Sequence, residues 1–488
     1  MFLRKTCWFL LLSSSSILAS ASTPTVTVTS PGSGSSPGSP VNYIASASTT
    51  CAGGITSMRI YTGPGVIGYT IHANKLNSNL NLKKGSYSTV VQAWDKCGGV
   101  GKKTVNITVS KINLSPPKFL YATEYTAGKI AGYKVNPLTG SLTPTTQGAA
   151  WAHWGPVDIA SDYWGNHLYA ANLGSHDVSA YIINRTSGNL SQVSGSPFSL
   201  AGTAARVAVH PSGKFVYVTS TDAKGGNVGI NAFAVQSNGS LKPVPGTPFG
   251  AGEFSDDQFR AAVTATTKYL YVSGKLKGSG AIGAFIIDQT SGALTPLPGS
   301  PFLVPPIPGF NFNYPPTDLA ADPKGQYLYA TLDGSDAVAG YAIDPNTGAL
   351  NALPGSPYYE GTYNPNLPNS PWRLSIAPGL KFVYVADLEG ENYTAFKLNA
   401  STGVLTYVQS INALFLKGSC DPDTVNVDPS GTFLYGLGRT KFVCQGSNAI
   451  LGYSINQGNG NLILVPGAQF ANTDVFTNYA QEKVLVTR

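Results

Sequence analysis

Apolar and polar residues alternate with a period of two along much of this chain, in short runs separated by Gly, Pro, Asn and Ser. Between residues 24 and 110 the runs are TVTVTS, VNYIASAS, SMRIYTG, GYTIHAN, YSTVVQAWD and KKTVNITVS. That period puts successive side chains on opposite faces, so each run predicts a strand with one face turned to a core. Strands recurring every ~8–12 residues with turns between them predict a small β-sandwich over residues 24–110. Trp94, in VVQAWD, is expected to pack in its core or against a sheet.

Beyond the stretch INLSPPKF, where residues 111–117 read as a linker stiffened by Pro116-Pro117, the pattern repeats. A tyrosine preceded by two apolar or aromatic residues, once by His-Leu, recurs as FLYA, HLYA, FVYV, YLYV, YLYA, FVYV and FLYG. The tyrosines are Tyr121, Tyr169, Tyr217, Tyr271, Tyr329, Tyr384 and Tyr435. About a dozen residues after each comes an aromatic strand, from AGYKV to LGYSI. A glycine turn and a leucine follow, at Gly140, Gly188, Gly239, Gly292, Gly348, Gly403 and Gly460. TSGALTPLPGSPF (290–302) has near-copies in TSGNLSQVSGSPF and NTGALNALPGSPY. In it, Gly292 is expected to make a hairpin turn, Leu294 to start an outer strand, and Pro301-Phe302 to turn the chain back toward an axis. Four strands per unit of ~50 residues, seven times over, predict a seven-bladed β-propeller across residues 118–488. The first unit lacks its leading strand and the last leaves NYAQEKVLVTR over. That tail is expected to complete the first blade and so remove exposed sheet edges.

Composition agrees with an all-β chain. Of 488 residues only 11% are charged, Gly numbers 55 and Met 2. The net charge of +7 is dispersed, and the lysine doublets 83–84 and 102–103 are isolated, so no nucleic-acid partner is expected. Residues 1–21 have the layout of a signal peptide: Arg4-Lys5, an apolar stretch from Trp8, and Ala19-Ser20-Ala21 as a cleavage site. No transmembrane segment is expected, and the protein is read as secreted, periplasmic or at the cell surface. Four cysteines then remain in the mature chain, and an oxidising compartment favours Cys51–Cys97 and Cys420–Cys444 disulfides. Neither pair has the close spacing or nearby histidines of a zinc site.

The sevenfold [FYH]-[LV]-Y motif, with its aromatic strand, glycine turn and leucine, resembles the lactonase-type seven-bladed propellers, the YVTN or 6-phosphogluconolactonase-like family. The resemblance covers roughly residues 118–488 and implies the fold. Its members include sugar-lactone hydrolases and exported proteins of unknown activity, so activity has to come from a site. The stretch 24–110 resembles the immunoglobulin-like modules of bacterial exported proteins, which implies a spacer or adhesive role.

Innermost propeller strands open into the central channel. Five positions before Pro211, Pro323, Pro378 and Pro429 lie Arg206, Asp318, Arg373 and Thr424, and two blades without that proline, aligned on the tyrosine eleven residues on, give Asp158 and Arg260. Five of six are charged, and equivalent positions in a ring converge on the axis. Arginines bind carboxylate or phosphate bidentately and can stabilise an oxyanion. Asp158 or Asp318 could serve as a general base, with His153 in WAHWGP as an alternative proton carrier. The opposing reading is that these charges pair simply to neutralise a polar channel. His210 fills the turn slot that Asp322 and Asp428 hold in sister blades, which points to capping. No G-x-S-x-G elbow is present. The loops 303–316 and 359–371, rich in Tyr, Phe, Asn and Pro, are expected to rim the channel mouth. These features predict a hydrolase of a sugar lactone or related anionic cyclic ester, without cofactor or metal. The alternative is a non-catalytic propeller binding glycans or proteins. A phosphosugar substrate is disfavoured for an exported protein.

Overall fold

The computed structural model describes residues 23–37, 41–80, 82, 85–109, 118–221, 226–255, 261–305, 315–361, 370–388, 390–415, 418–419, 421–439, 449–471 and 483–488. It contains no helix among them and divides into two units at Asn113/Leu114.

The first unit holds two antiparallel sheets. One has three strands, Thr25–Ser30, Val41–Ser48 and Lys75–Leu80. The other has four, Val66–Ile71, Ile55–Gly63, Gly85–Asp95 and Val100–Val109. The inward residues of both share one core, with Val41, Tyr43, Met58, Ile60, Val91, Ala93 and Ile107 at its centre. Trp94 is not in that core. Alternation puts it opposite Ala93, half-buried on the outer face, where the Arg59 guanidinium lies 5.2 Å above its ring. The Cys51–Cys97 disulfide forms. Cys420 and Cys444 lie outside the described residues.

In the second unit seven blades follow one another, each with its inner strand pairing the Tyr strand and that strand pairing the aromatic strand. The chain closes on itself. Val484–Thr487 pairs antiparallel with Phe119–Glu124 and supplies the inner strand of blade 1. In blades 2 to 5 the outer strand is interrupted. Leu294–Pro296 pairs with residues 285–287, and Phe302–Leu303 then pairs with Ile282 and Ala281 of the same neighbour. The Pro-Gly-Ser-Pro segment is therefore a bulge within one outer edge, and the chain does not turn inward at Phe302. Blades 3 and 4 are joined by Phe249–Ser255, which pairs with both.

The repeated Tyr and Gly lock neighbouring blades together. The Tyr217 hydroxyl donates to the Gly292 carbonyl of the next blade at 3.1 Å, and Gly292 has φ 79°. A Cβ there would stand 2.4 Å from Phe215, the first residue of the same F-V-Y motif. Gly is required twice over, by its left-handed backbone and by the ring against it. Equivalent bonds link Tyr121 to Gly188, Tyr271 to Gly348, Tyr329 to Gly403 and Tyr384 to Gly460, and Tyr435 to Gly140 closes the ring. The Tyr169 hydroxyl is buried without a partner.

Candidate functional site

Strand register defines the ring around the axis. The residues paired with the seven tyrosines are Leu485, Ala160, Ala208, Thr264, Ala320, Ser375 and Asn426 in blades 1 to 7. Two residues earlier on each inner strand stand Lys483, Asp158, Arg206, Ala262, Asp318, Arg373 and Thr424. In blades 2, 3, 6 and 7 a β-bulge immediately precedes this position. A bulge bends the strand and re-aims the side chain that follows it.

The ring differs from the sequence expectation at two places. Arg260 lies outside the described residues, and the register of its blade puts Ala262 at the equivalent position. The hairpin Thr264–Tyr271 is two residues shorter than its sister Ala160–Tyr169, so counting back eleven from Tyr271 overshoots. Lys483 was missed because it belongs to the closing strand. The available signal was its place two residues before the residue facing Tyr121. Its backbone N–H donates to Thr123 Oγ1 at 2.9 Å, as those of Arg206 and Asp318 donate to Thr219 and Thr331.

Asp158, Arg206, Asp318, Arg373 and Lys483 together line a cavity of about 250 Å³, with Thr264, Ser375 and Asn426 further along the strands. Asp158 is buried. Its Oδ2 accepts the Val207 N–H of the next blade at 2.9 Å, and its Oδ1 lies 3.1 Å from Lys483 Nζ and 3.9 Å from Arg373 Nη1. Burial alone would raise its carboxyl. Lys483, Arg373 and Arg206 outweigh that and hold it below the ordinary carboxylate value. Asp318 is anchored the same way, Oδ2 accepting the Leu374 N–H at 3.1 Å. Its side chain is more open to the cavity, 13% exposed against 2% for Asp158, and its Oδ1 lies 3.9 Å from Arg373 Nη1.

Both arginines are buried and under-bonded. Arg206 Nη1 donates to the Ala205 carbonyl at 3.0 Å, while its Nε and Nη2 have no hydrogen-bond partner. None of the three nitrogens of the Arg373 guanidinium has one. Burial and the neighbouring Arg373 lower the Arg206 guanidinium to about 10, so it stays charged at neutral pH. Asp423, beside Thr424, adds a carboxylate to the field at Arg206. The cavity lining itself holds three cations, Arg206, Arg373 and Lys483, and two carboxylates, Asp158 and Asp318.

His153 is not brought to this cavity. It stands before the blade 2 inner strand with φ 103°, and its Nδ1 is 2.5 Å from Asp177 Oδ2. His210 caps its turn, Nε2 donating to the Thr267 carbonyl at 2.9 Å and Nδ1 accepting the Ser212 N–H at 3.1 Å. Most of the two loops expected at the mouth, 306–314 and 362–369, lies outside the described residues.

A closed ring of seven four-stranded blades around a charged axial cavity defines a seven-bladed propeller with its polar site on the inner strands. The family model for the lactonase seven-bladed β-propeller matches residues 75–199, 201–362 and 319–473, and the chain belongs to that family. A 6-phosphogluconolactonase of Formosa agariphila is 25% identical over 278 residues, 53% of this chain and 71% of that protein. The periplasmic gluconolactonase of Pseudomonas aeruginosa superposes with a TM-score of 0.56 at 17% identity, covering 72% of this chain and 97% of that one. A Lactobacillus plantarum protein gives 0.55 at 18%, covering 76% and 100%. At these identities the solved structures share the fold.

Proposed function

We propose that the protein hydrolyses a sugar lactone in the axial cavity. The observation that carries this reading is the buried Arg373 guanidinium, without a hydrogen-bond partner on any nitrogen, beside the partly open carboxylate of Asp318. Buried donors left unpaired are costly, roughly 1–3 kcal/mol each, and a ligand oxygen would relieve them. Asp158 is a poor base because three cations stabilise its ionised form. Asp318 therefore takes the proton of the attacking water. The hydroxide oxygen adds to the lactone carbonyl carbon, and the carbonyl electron pair moves onto oxygen, where Arg373 and Arg206 stabilise the charge. Collapse of this intermediate breaks the ring C–O bond. The departing alkoxide recovers the proton from Asp318, leaving a hydroxy acid that ionises in solution.

An exported enzyme meets an uncharged polyhydroxy lactone rather than a phosphosugar, which is an intermediate of the cytoplasm. The Cys51–Cys97 bridge and the signal-like residues 1–21 support an exported protein, and the three- and four-stranded sheets of the first unit support an immunoglobulin-like spacer. The test is acid release from a panel of aldonolactones, followed by pH-stat against the spontaneous rate. Wild type should exceed that rate, and Arg373→Gln should lose about 10²-fold or more in kcat, as for a lost oxyanion donor. Equal rates for the two proteins, or none above background, would remove the mechanism; calorimetric sugar binding without turnover would leave a binding propeller.

A further inference from the structure

A second polar cluster lies away from the axis, where the end of each Tyr strand meets the start of the next strand and the loop arriving from the preceding blade. In blade 2 an amide supplies its donors, although the Asn172 Oδ1 is left without a partner. Asn172 Nδ2 lies within hydrogen-bonding distance of Asp177 Oδ1 at 2.7 Å, Ser179 Oγ at 2.9 Å and the Ala152 carbonyl at 3.1 Å. Blade 3 likewise has an amide in the cluster: Asn231 Nδ2 donates to Ser220 Oγ at 2.8 Å, and its Oδ1 accepts the Ala201 N–H at 3.0 Å.

Blade 6 holds Asp387 where blade 2 has Asn172, Asn392 where it has Asp177, and Thr394 where it has Ser179. The arriving loop adds a further acid, Glu360. The amide that supplied donors is gone, and the cluster consists almost wholly of acceptors. Asp387 Oδ1 accepts the N–H groups of Ser370 and Gly390 at 2.9 and 3.0 Å, but its Oδ2 has no partner. Glu360 Oε1 has none either, and both residues are more than nine-tenths buried. Asn392 sends its Nδ2 away to the Gly390 carbonyl, leaving Oδ1 3.0 Å from Thr394 Oγ1. The Thr394 hydroxyl is also 3.1 Å from Glu360 Oε2 and 2.8 Å from Ser410 Oγ. Its single proton can serve only one of these oxygens.

We propose that this junction of blades 5 and 6 binds a hard divalent cation of the calcium class, held by Glu360, Asp387, Asn392 Oδ1 and Thr394 Oγ1. A proton shared by the two carboxyls would bridge two oxygens. A cation that takes six to eight oxygen ligands gathers the carboxylate, amide and hydroxyl oxygens together. No lysine or arginine is paired with either carboxylate among the described residues. The neighbouring Asp336, whose carbonyl accepts the Glu360 N–H at 2.8 Å, adds to the negative field there. The ion would tie blade 5's exit loop to blade 6.

The experiment is calorimetric titration of the full chain, freed of metal by chelator and dialysis, with calcium and then magnesium chloride at pH 7.5. One calcium per chain is expected, with magnesium at least tenfold weaker. Glu360→Gln and Asp387→Asn should each weaken calcium at least tenfold. Asp387→Asn is the safer variant for folding, since blade 2 carries Asn at that place. Absence of calcium binding in wild type, or undiminished binding by either folded variant, overturns the proposal. Lactone turnover plays no part in this readout, so its outcome is separate from that of the proposed function.

Discussion

The contact that closes the ring can be isolated by a single atom. Tyr435→Phe removes the hydroxyl that donates to the Gly140 carbonyl at 2.7 Å, between residues 295 positions apart. The phenyl ring remains and no cavity forms. A typical internal hydrogen bond is worth about 0.5–1.5 kcal/mol, and leaving the buried Gly140 carbonyl unpaired takes the cost toward roughly 1–3 kcal/mol. Tyr169 provides the control, because it holds the same place in the repeat with its buried hydroxyl already unpartnered. Tyr169→Phe discards an unsatisfied group and should be neutral or slightly stabilising. Urea unfolding followed by tryptophan fluorescence compares the midpoints of both variants with wild type. A midpoint loss for Tyr169→Phe equal to or larger than that for Tyr435→Phe would refute the claim that the tyrosines act through their hydroxyls.

Two further predictions concern charge. Lys483→Met removes the cation nearest Asp158 and leaves Arg373 at 3.9 Å, so stability should fall by up to the roughly 3 kcal/mol typical of breaking a buried pair. Adding Asp158→Asn should recover part of the loss in the same urea assay, and additive losses would argue against the pairing. Burial holds the His210 imidazole below its usual value of about 6.5, so its contribution to stability is complete above that pH. It is lost as pH falls through the lower folded value. His210→Asn should flatten that decline, and an unchanged pH profile would contradict it.

What the sequence made legible follows from what the blades share. Seven copies of one pattern reveal a propeller because every blade meets the same neighbour in the same way, through a Tyr strand, a glycine turn and an aromatic between them. Four axial residues, Asp158, Arg206, Asp318 and Arg373, are likewise legible from aligning the inner strands on their prolines and tyrosines, and they line one cavity. Counting failed where pairing departs from sequence distance, at the short hairpin that replaces Arg260 by Ala262. It also failed at Lys483, whose blade is assembled from both ends of the domain. The Glu360–Asp387 pair gave no sequence signal, since it depends on a loop and a strand from different blades.

The contrast between the two kinds of position carries a further consequence. At the blade contacts the same residues suit all seven copies, because each contact has its own pair of surfaces. Around the axis all seven residues share one space, and identical charges there would repel at short range with little solvent between them. The ring accordingly reads Lys, Asp, Arg, Ala, Asp, Arg, Thr. Anions stand between cations, and two uncharged places are left on blades 4 and 7. That inequality turns a sevenfold scaffold into a site with direction, in which carboxylates and guanidinium donors hold fixed and unequal places. In such a repeat, positions that differ between blades while facing a common axis are therefore the first place to look for chemistry.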